Sequence, residues 1–460
     1  MKLGILPLAR PTFDVEYAGE KLALMLAALD AAGHEICGPR GLLFDAEAAR
    51  AGIAELQSAG VDQVLLLQVT FTDAAMTVAA ANAFDVPLSI WAVPEPRTGG
   101  RLRLNAFCGL NLASHALRRT GRDFGWLYAD PEGEVSQPLT ELLSGGRMAG
   151  QAGPGAVPAP TEEGRRIAAD VSGRRIARIG APPEGFDTCA YDAGAVDALA
   201  GVQVDALELD TLFRKARNVS DDIALGLRRE AEQSLSGLEQ VDQAQLDRSL
   251  RLKAGLDALR RAGGYDAFAI RCWPETFTEY GGAVCGPAGM LGEAKVPCAC
   301  EADVYGALTQ LILMEAAEAP VFLTDLVDMD ANDNSGVVWH CGQAPLSMCD
   351  PKVQAEAAVH TNRKQPLLFQ FPLKPGPVTL MRISQAGGRP HMVLATGAML
   401  ERPMAFTGTS GVLRFSRRAG AVLDDIIASG LEHHMALAYG DHRAALRGTA
   451  GALGLPLLEL

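Results

Sequence analysis

The stretch VPCACEADVYG, Val296 to Gly306, decides how this chain is read. Apolar residues alternate around Cys298 and Cys300 as in a buried strand, whereas VYGALTQLILMEAAEA, from Val304 onward, has the apolar spacing of a helix. Glu301 and Asp303 stand where one pattern gives way to the other. In open α/β sheets ligands bind at such strand ends, but carboxylates also favour the first turn of a helix because of its dipole. Taken alone, the stretch supports both readings.

Working outward, short β runs alternate with helices on the N-terminal side: LGILPL, a helical segment around Glu20–Ala32, VDQVLLLQV and VPLSIWAV. This is the pattern of a parallel, doubly wound sheet. The Gly-, Ala- and Pro-rich segment SGGRMAGQAGPGAVPAP, Ser144 to Pro160, has no periodicity and reads as a linker. Alternation then resumes with RRIARIG, VDALELD, a long polar helix from about Ser220 to Ala262, YDAFAIRCW, VPCAC and APVFLTDL. Beyond Asp325 the runs are short and divided by Pro and Gly (GVVWHCGQAP, PLLFQFPL, GPVTLMRISQ, HMVLATGAML, GVLRFSRR), as in a β-rich domain. A last helix is expected over His442–Leu453. The fold class is therefore α/β: two doubly wound α/β domains, residues 1–160 and 161–325, followed by a β-rich, barrel-like domain, residues 326–460.

Bulk properties narrow the function. The chain has 460 residues, 41 Lys and Arg against 55 Asp and Glu, and a formal net charge of −14, which opposes any general attraction to phosphate backbones. Nucleic acid is excluded as a general partner. No run approaches the roughly 18 apolar residues of a membrane helix, MKLGILPLARP reads as a first strand and not as a signal peptide, and nine scattered cysteines suit a reduced, cytoplasmic chain.

Several polar residues stand at element ends. Asp325 closes VFLT one helix and one strand after Glu301, so two successive parallel strands would deliver both carboxylates to one sheet edge; a plain turn role accounts for Asp325 equally well. His340, in WHCG, reads as a hydrogen-bonded core residue or as a ligand. Strand alternation in LEHHMALAYGD would point one of His433 and His434 inward and the other outward. Two carboxylates with imidazole form a hard O/N set, suited to Mn²⁺ or Mg²⁺ more than to structural zinc. Cys298 and Cys300 lack a second close cysteine pair and read as buried strand thiols. No phosphate loop, dinucleotide fingerprint, nucleophile elbow or H-E-x-x-H pair is present.

PCACEAD, VFLTD, WHCGQAP, GTSGVLRF and EHHMALAYGD, together with LQVTFTDAAM and WAVPEPRTGGRLRLNAFCGLN, resemble the L-fucose/L-arabinose isomerase superfamily, and its fucose isomerase-like members in particular, in order and spacing. The resemblance spans most of the chain. It implies a three-domain subunit in a trimeric or hexameric homo-oligomer, and a cytoplasmic aldose–ketose isomerase using a divalent metal, usually Mn²⁺ with Mg²⁺ or Co²⁺ as substitutes. Residue by residue, Glu301 matches the family's glutamate, ligand and proton-transfer group in one. Asp325 matches the second carboxylate and His434 the C-terminal histidine ligand. His340 and His433 become substrate-contacting candidates. The family's N-terminal substrate aromatic is replaced within QVTFTD by Thr70 and Phe71. Trp273 and Glu275, in RCWPETF, follow another strand and are candidates to meet sugar hydroxyls, with structural packing an equal account of the tryptophan. Arg97, with Arg101 and Arg103 in PRTGGRLRL, would suit an acidic substituent, although a solvated loop is the simpler account.

Such a set has a chemical reason. Moving a carbonyl from C1 to C2 of an open-chain sugar removes the C2 proton and leaves an enediolate whose oxygens need stabilising. One carboxylate would take the proton while the other serves the oxygen. A metal-dependent epimerase or aldolase would share this set, and tandem α/β domains also make non-catalytic sugar-binding proteins.

Overall fold

In the computed structural model, which describes all 460 residues, KLGILPL forms β1 (Lys2–Leu8), buried along nearly its whole length. Such continuous burial is what a central parallel strand requires, and it explains the run of leucines. With β2 (Glu35–Cys37), β3 (Gln63–Gln68), β4 (Leu88–Ala92) and β5 (Gly125–Tyr128) it builds a parallel sheet in the order β2-β1-β3-β4-β5. The chain direction around the sheet reverses between β1 and β3, so the loops leaving these two strands open a crevice at their carboxyl ends. Arg10 leaves β1 there, and Thr70 and Phe71 leave β3.

A second parallel sheet comprises β6 (Arg175–Ile179), β7 (Gln203–Leu207), β8 (Ala267–Ile270) and β9 (Cys298–Ala299), ordered β7-β6-β8-β9. Trp273 follows β8 and Glu301 follows β9. The expected long polar helix is two helices, Asp221–Ser234 and Gln243–Gly263. Between them Gly237 takes a left-handed conformation, φ 76°, while Leu235, Leu238 and Val241 turn into the core.

The remaining strands are β10 (Phe322–Asp330), β11 (Ser335–His340), β12 (Glu356–Ala358), β13 (Leu368–Pro372), β14 (Gly376–Ser384), β15 (His391–Met399), β16 (Thr409–Phe415), β17 (His434–Tyr439) and β18 (Leu457–Glu459). They form one mixed sheet in which an extra β15–β16 pairing curls β16, β11, β10, β17, β14 and β15 into a ring. The barrel-like expectation for this part is met. One expectation is corrected here. Asp325 does not end a strand parallel to the one before Glu301: it lies within β10, antiparallel to β11 and β17 and in a different sheet from β9. The chain continues as LVDMD because alternate residues still face a core, so the boundary expected after residue 325 cuts this strand.

The helix Ala106–Arg119 is buried from Ala106 through Leu117, since it lies between the first sheet and the helix Ala419–Ser429. N- and C-terminal elements thus share a core, and no helix is long and apolar enough to cross a membrane. A second junction joins the helices Glu162–Val171 and Arg443–Ala452. There a Cβ on Gly164 would come within 2.1 Å of the Gly448 backbone. Gly164→Ala is expected to cost about 1–3 kcal/mol through forced separation of the two helices. Gly226→Ala, in an exposed helical position with open space around it, is expected to be neutral or to stabilise by roughly 0.5–1 kcal/mol. Chemical denaturation of the two variants checks the contrast.

Candidate active site

Glu301 is turned out of β9 by a backbone in the left-handed region, φ 59° and ψ 23°, followed by Ala302 at φ 55°. Two adjacent non-glycine residues in that region are costly and are tolerated only where surrounding contacts impose them. The side chain explains the constraint. Trp273 Nε1 donates to Glu301 Oε1 at 3.2 Å, and His433 Nε2 lies 3.0 Å from Oε2. Burial opposes ionisation of Glu301, but the His433 hydrogen bond, the charges of His433 and His434 and the Trp273 N–H bring its pKa down to about 2. The same pairing raises His433, overcoming the desolvation that would lower it.

His434 lies directly across from Asp325 in the antiparallel register of β17 and β10, so strand pairing itself brings them together. Its Nε2 is 3.4 Å from Asp325 Oδ1 and 3.7 Å from Glu301 Oε2. Its Nδ1 is 2.9 Å from Asp303 Oδ2. Asp303 is the N-cap of the helix Val304–Ala317, accepting the Gly306 N–H through Oδ1 at 2.8 Å. It also takes a two-pronged contact from Arg382, which is completely buried; one prong measures 3.1 Å. Burial alone would raise the Asp303 pKa, but Arg382 and then His434 hold it below the usual carboxylate range. An ionised Asp303 accepts the proton of His434 Nδ1, which leaves Nε2 as a bare lone pair.

That lone pair faces two carboxylates. Asp325 Oδ1 is buried and has no hydrogen-bond donor, a costly state for an anion unless a cation compensates it. His434 is the shared point of two ligand groups, one with Glu301 and Cys189 and one with Asp325 and His340, and the oxygen and imidazole nitrogen donors around it are of the kind that suits a hard divalent cation. His340 brings a further ring nitrogen within 4.8 Å of the Asp325 and His434 donor atoms. Its Nδ1 accepts the Cys341 N–H at 2.8 Å, which places its own proton on Nε2 and makes it a donor. Cys189 also approaches Glu301 and His434, but burial, reinforced by Asp303 and Glu301, raises its thiol pKa well above the ordinary value and keeps it neutral.

The site opens into a cleft of about 110 Å³ lined by Glu301, Asp325, His433, His340, Trp273 and Phe71. His434 lies just behind these. Phe71 packs against Phe13 and Phe186, and Phe186 against Trp273. Three residues expected to meet substrate lie elsewhere. Thr70 is buried and accepts the Arg10 backbone N–H at 2.8 Å, so it braces the loop without lining the cleft. Glu275 is held by Arg271 Nε at 2.7 Å, four residues back in the loop after β8. Arg97 is bound by Asp328 Oδ2 at 2.5 Å and Ser335 Oγ at 2.7 Å, tying the first sheet to β10 and β11. Arg103 faces Asp14 and the Tyr17 ring, and Arg101 spans two loops, holding Thr12 and Asn362.

Arg10 and Arg363 are not among the sequence candidates, and Asp303 enters there only as an acid at the strand–helix boundary. Asp303 was visible in CEAD, but its capping role supplied a sufficient local reason for it. Arg10 carried a usable signal, because it follows the first strand of a parallel sheet. Arg363 carried none, since its loop is placed by contacts distant in sequence.

Acceptors from the second sheet and from the β ring thus meet beside the cleft. A model of the fucose/sulfoquinovose isomerase N-terminal domain matches residues 4–149, and a model of the L-fucose isomerase C-terminal domain matches residues 338–460. The sulfoquinovose isomerase of Clostridium sp. (strain MSTE9) is 30% identical over 464 aligned positions, covering 99% of this chain and 98% of that protein. That of Alkalicoccus urumqiensis is 29% identical over 458, with 99% and 98% covered, and that of Priestia aryabhattai 29% over 437, with 95% and 94% covered. The chain belongs to the fucose isomerase family.

Proposed function

We propose that this chain interconverts an open-chain aldose and its 2-ketose through a cis-enediol, and that the sugar is sulfoquinovose, the acid-bearing substrate named for its relatives. The observation that carries the chemistry is the buried, donorless Asp325 Oδ1 facing His434 Nε2 and Glu301. Glu301, Asp325 and His434 would hold a divalent ion, Mn²⁺ foremost with Mg²⁺ or Co²⁺ as substitutes. When bound, such an ion acts as a Lewis acid toward the sugar's C1 and C2 oxygens.

The chain's own groups do the rest. Glu301 and Asp325, anchored on different sheets, approach the reacting carbons from separate directions; one removes the C2 proton and the other serves the oxygen. His433 and Trp273 fix both oxygens of Glu301, so its orientation is set before substrate enters. His340, with its proton on Nε2, donates to a sugar oxygen. Asp303 and Arg382 hold the His434 ring without meeting substrate. Phe71 and Trp273 give the sugar apolar walls and keep water from the enediol. The working protein is taken to be a cytoplasmic homo-oligomer, a trimer or hexamer.

Metal-stripped protein is expected to convert no sugar. Adding Mn²⁺ at a hundred times its dissociation constant should restore conversion and stabilise the fold by about 2.7 kcal/mol. Product analysis on sulfoquinovose should yield the 2-ketose alone. A C2 epimer or a cleaved product would replace the isomerase reading by another reaction on the same site, and an unchanged melting temperature would count against the ion.

A further inference from the structure

The cleft has two ends. Glu301, His340 and His433 form one; toward the other, beside His360, two guanidiniums come from opposite parts of the chain. Arg10 arrives on the loop after β1 and Arg363 on the loop between β12 and β13, and both line the cleft. Arg10 is bound on one side by Asp73. Arg363 has no carboxylate partner; its guanidinium lies 5.0 Å from the centre of the Trp273 ring. The two are close enough that Arg363, after burial, contributes to lowering the Arg10 pKa. Like charges held this way in an acidic protein need a reason, and no Lys or other Arg lines the cleft.

We propose that Arg10 and Arg363 form the subsite for the anionic group at the far end of the sugar, a sulfonate on C6. The inference rests on the isomerase reading above for the orientation of the sugar. Trp273 sets the scale. Its indole N–H reaches Glu301 while its face carries Arg363, which bounds the separation of carboxylate and guanidinium at roughly 10 Å; carbon–carbon bonds near 1.5 Å place C1 and the C6 substituent of an extended hexose roughly 7 Å apart. Charge points the same way. Arg10 and Arg363 have one bonded carboxylate between them, Asp73, and Arg101 stands between their loops, so positive charge is in excess where an anionic substituent would sit. Guanidinium forks also suit the trigonal face of sulfonate oxygens.

Arg101 acts as a positioning residue for this subsite. Its Nη2 donates to Thr12 O at 2.6 Å and its Nε to Asn362 Oδ1 at 3.0 Å, so it ties the Arg10 loop to the Arg363 loop. The turn bearing Arg363 is braced further by His360 Nδ1, which accepts the Asn362 and Arg363 N–H groups at 3.2 Å each.

The test compares the C6-sulfonated aldohexose, its C6-phosphorylated analogue and its C6-hydroxyl counterpart on the metal-loaded protein. Losing one charge-assisted contact of about 1.5–3 kcal/mol corresponds to roughly 10–100-fold. Arg363→Ala is expected to reduce the preference for sulfonated over neutral sugar, as a ratio of kcat/KM, by that factor, and Arg363→Lys by less. Arg101→Ala should raise KM for the sulfonated sugar while leaving kcat in place, a split that general loosening would not produce. Calorimetry with methanesulfonate reads the subsite without turnover, and weaker binding to Arg363→Ala is expected. An unchanged preference or unchanged methanesulfonate binding would overturn the assignment, as would a wild-type preference for the phosphorylated sugar. If wild type converts none of the sugars, the isomerase reading fails and calorimetry still decides the subsite.

Discussion

Glu301→Gln is expected to lower kcat for isomerisation by about 10²–10⁴-fold, the range typical of losing a positioned acid or base, with the fold retained. Glutamine keeps the size of the side chain and an oxygen for the Trp273 N–H, so the loss is one of charge at Oε2, where His433 and His434 converge. Asp325→Asn should have an effect of the same order from the opposite side, because Oδ1 has no other partner to compensate for it. The measurement is exchange of the substrate C2 hydrogen with solvent deuterium, followed by NMR alongside metal content. Both variants should lose exchange. Exchange at the wild-type rate in both would remove the carboxylates from proton transfer, and loss of exchange with metal content intact would assign them to it directly.

The second large effect concerns stability. Asp303 and Arg382 are a fully buried ion pair, with side chains 1% and 0% exposed. Removing one partner of such a pair leaves an uncompensated charge and costs about 3–5 kcal/mol. Asp303→Asn should therefore unfold at markedly lower denaturant, and the refolded protein should bind metal weakly because His434 loses the acceptor that orients its ring. Arg382→Met should be at least as damaging, since it strands both Asp303 and the neighbouring Glu432, whose carboxyl Arg382 helps to hold ionised. The pair Asp303→Leu with Arg382→Met should recover part of the stability but none of the metal affinity. Recovery of both would mean that the pair is structural filler and that His434 needs no orienting partner.

Much of the fold could be read from the chain because its parallel sheets are built from continuous apolar runs, as in KLGILPL and QVLLLQ, which only buried strands require. The split of the polar helix is not legible because the chain turns extended at Leu235 and left-handed at Gly237, burying Leu235, Leu238 and Val241, while the polar pattern runs on. The placement of Asp325 escaped for a related reason. Its residues are as apolar before it as a parallel strand's would be, and only pairing with β11 and β17, distant in sequence, shows which sheet it joins.

The polar residues divide along the same line. Glu301 and the two adjacent histidines are visible because each stands at or beside an element end, and Asp325 because it interrupts an apolar run inside β10. Glu275 and Arg97 look equally placed in sequence, but Arg271 and Asp328 bind them first. A charged side chain's destination is set by its nearest opposite charge, which sequence spacing rarely reveals across more than a helical turn. Asp303 shows the converse: its local capping role hid a contact to Arg382, 79 positions away.

The central claim is that side chains from two sheets share one hard cation beside the cleft. Anomalous diffraction from crystals grown with Mn²⁺ tests it most directly. A single manganese peak contacting Glu301, Asp325 and Nε2 of His434 is the expected result, whereas a peak that omits the carboxylates, or none at a concentration that supports turnover, would contradict it.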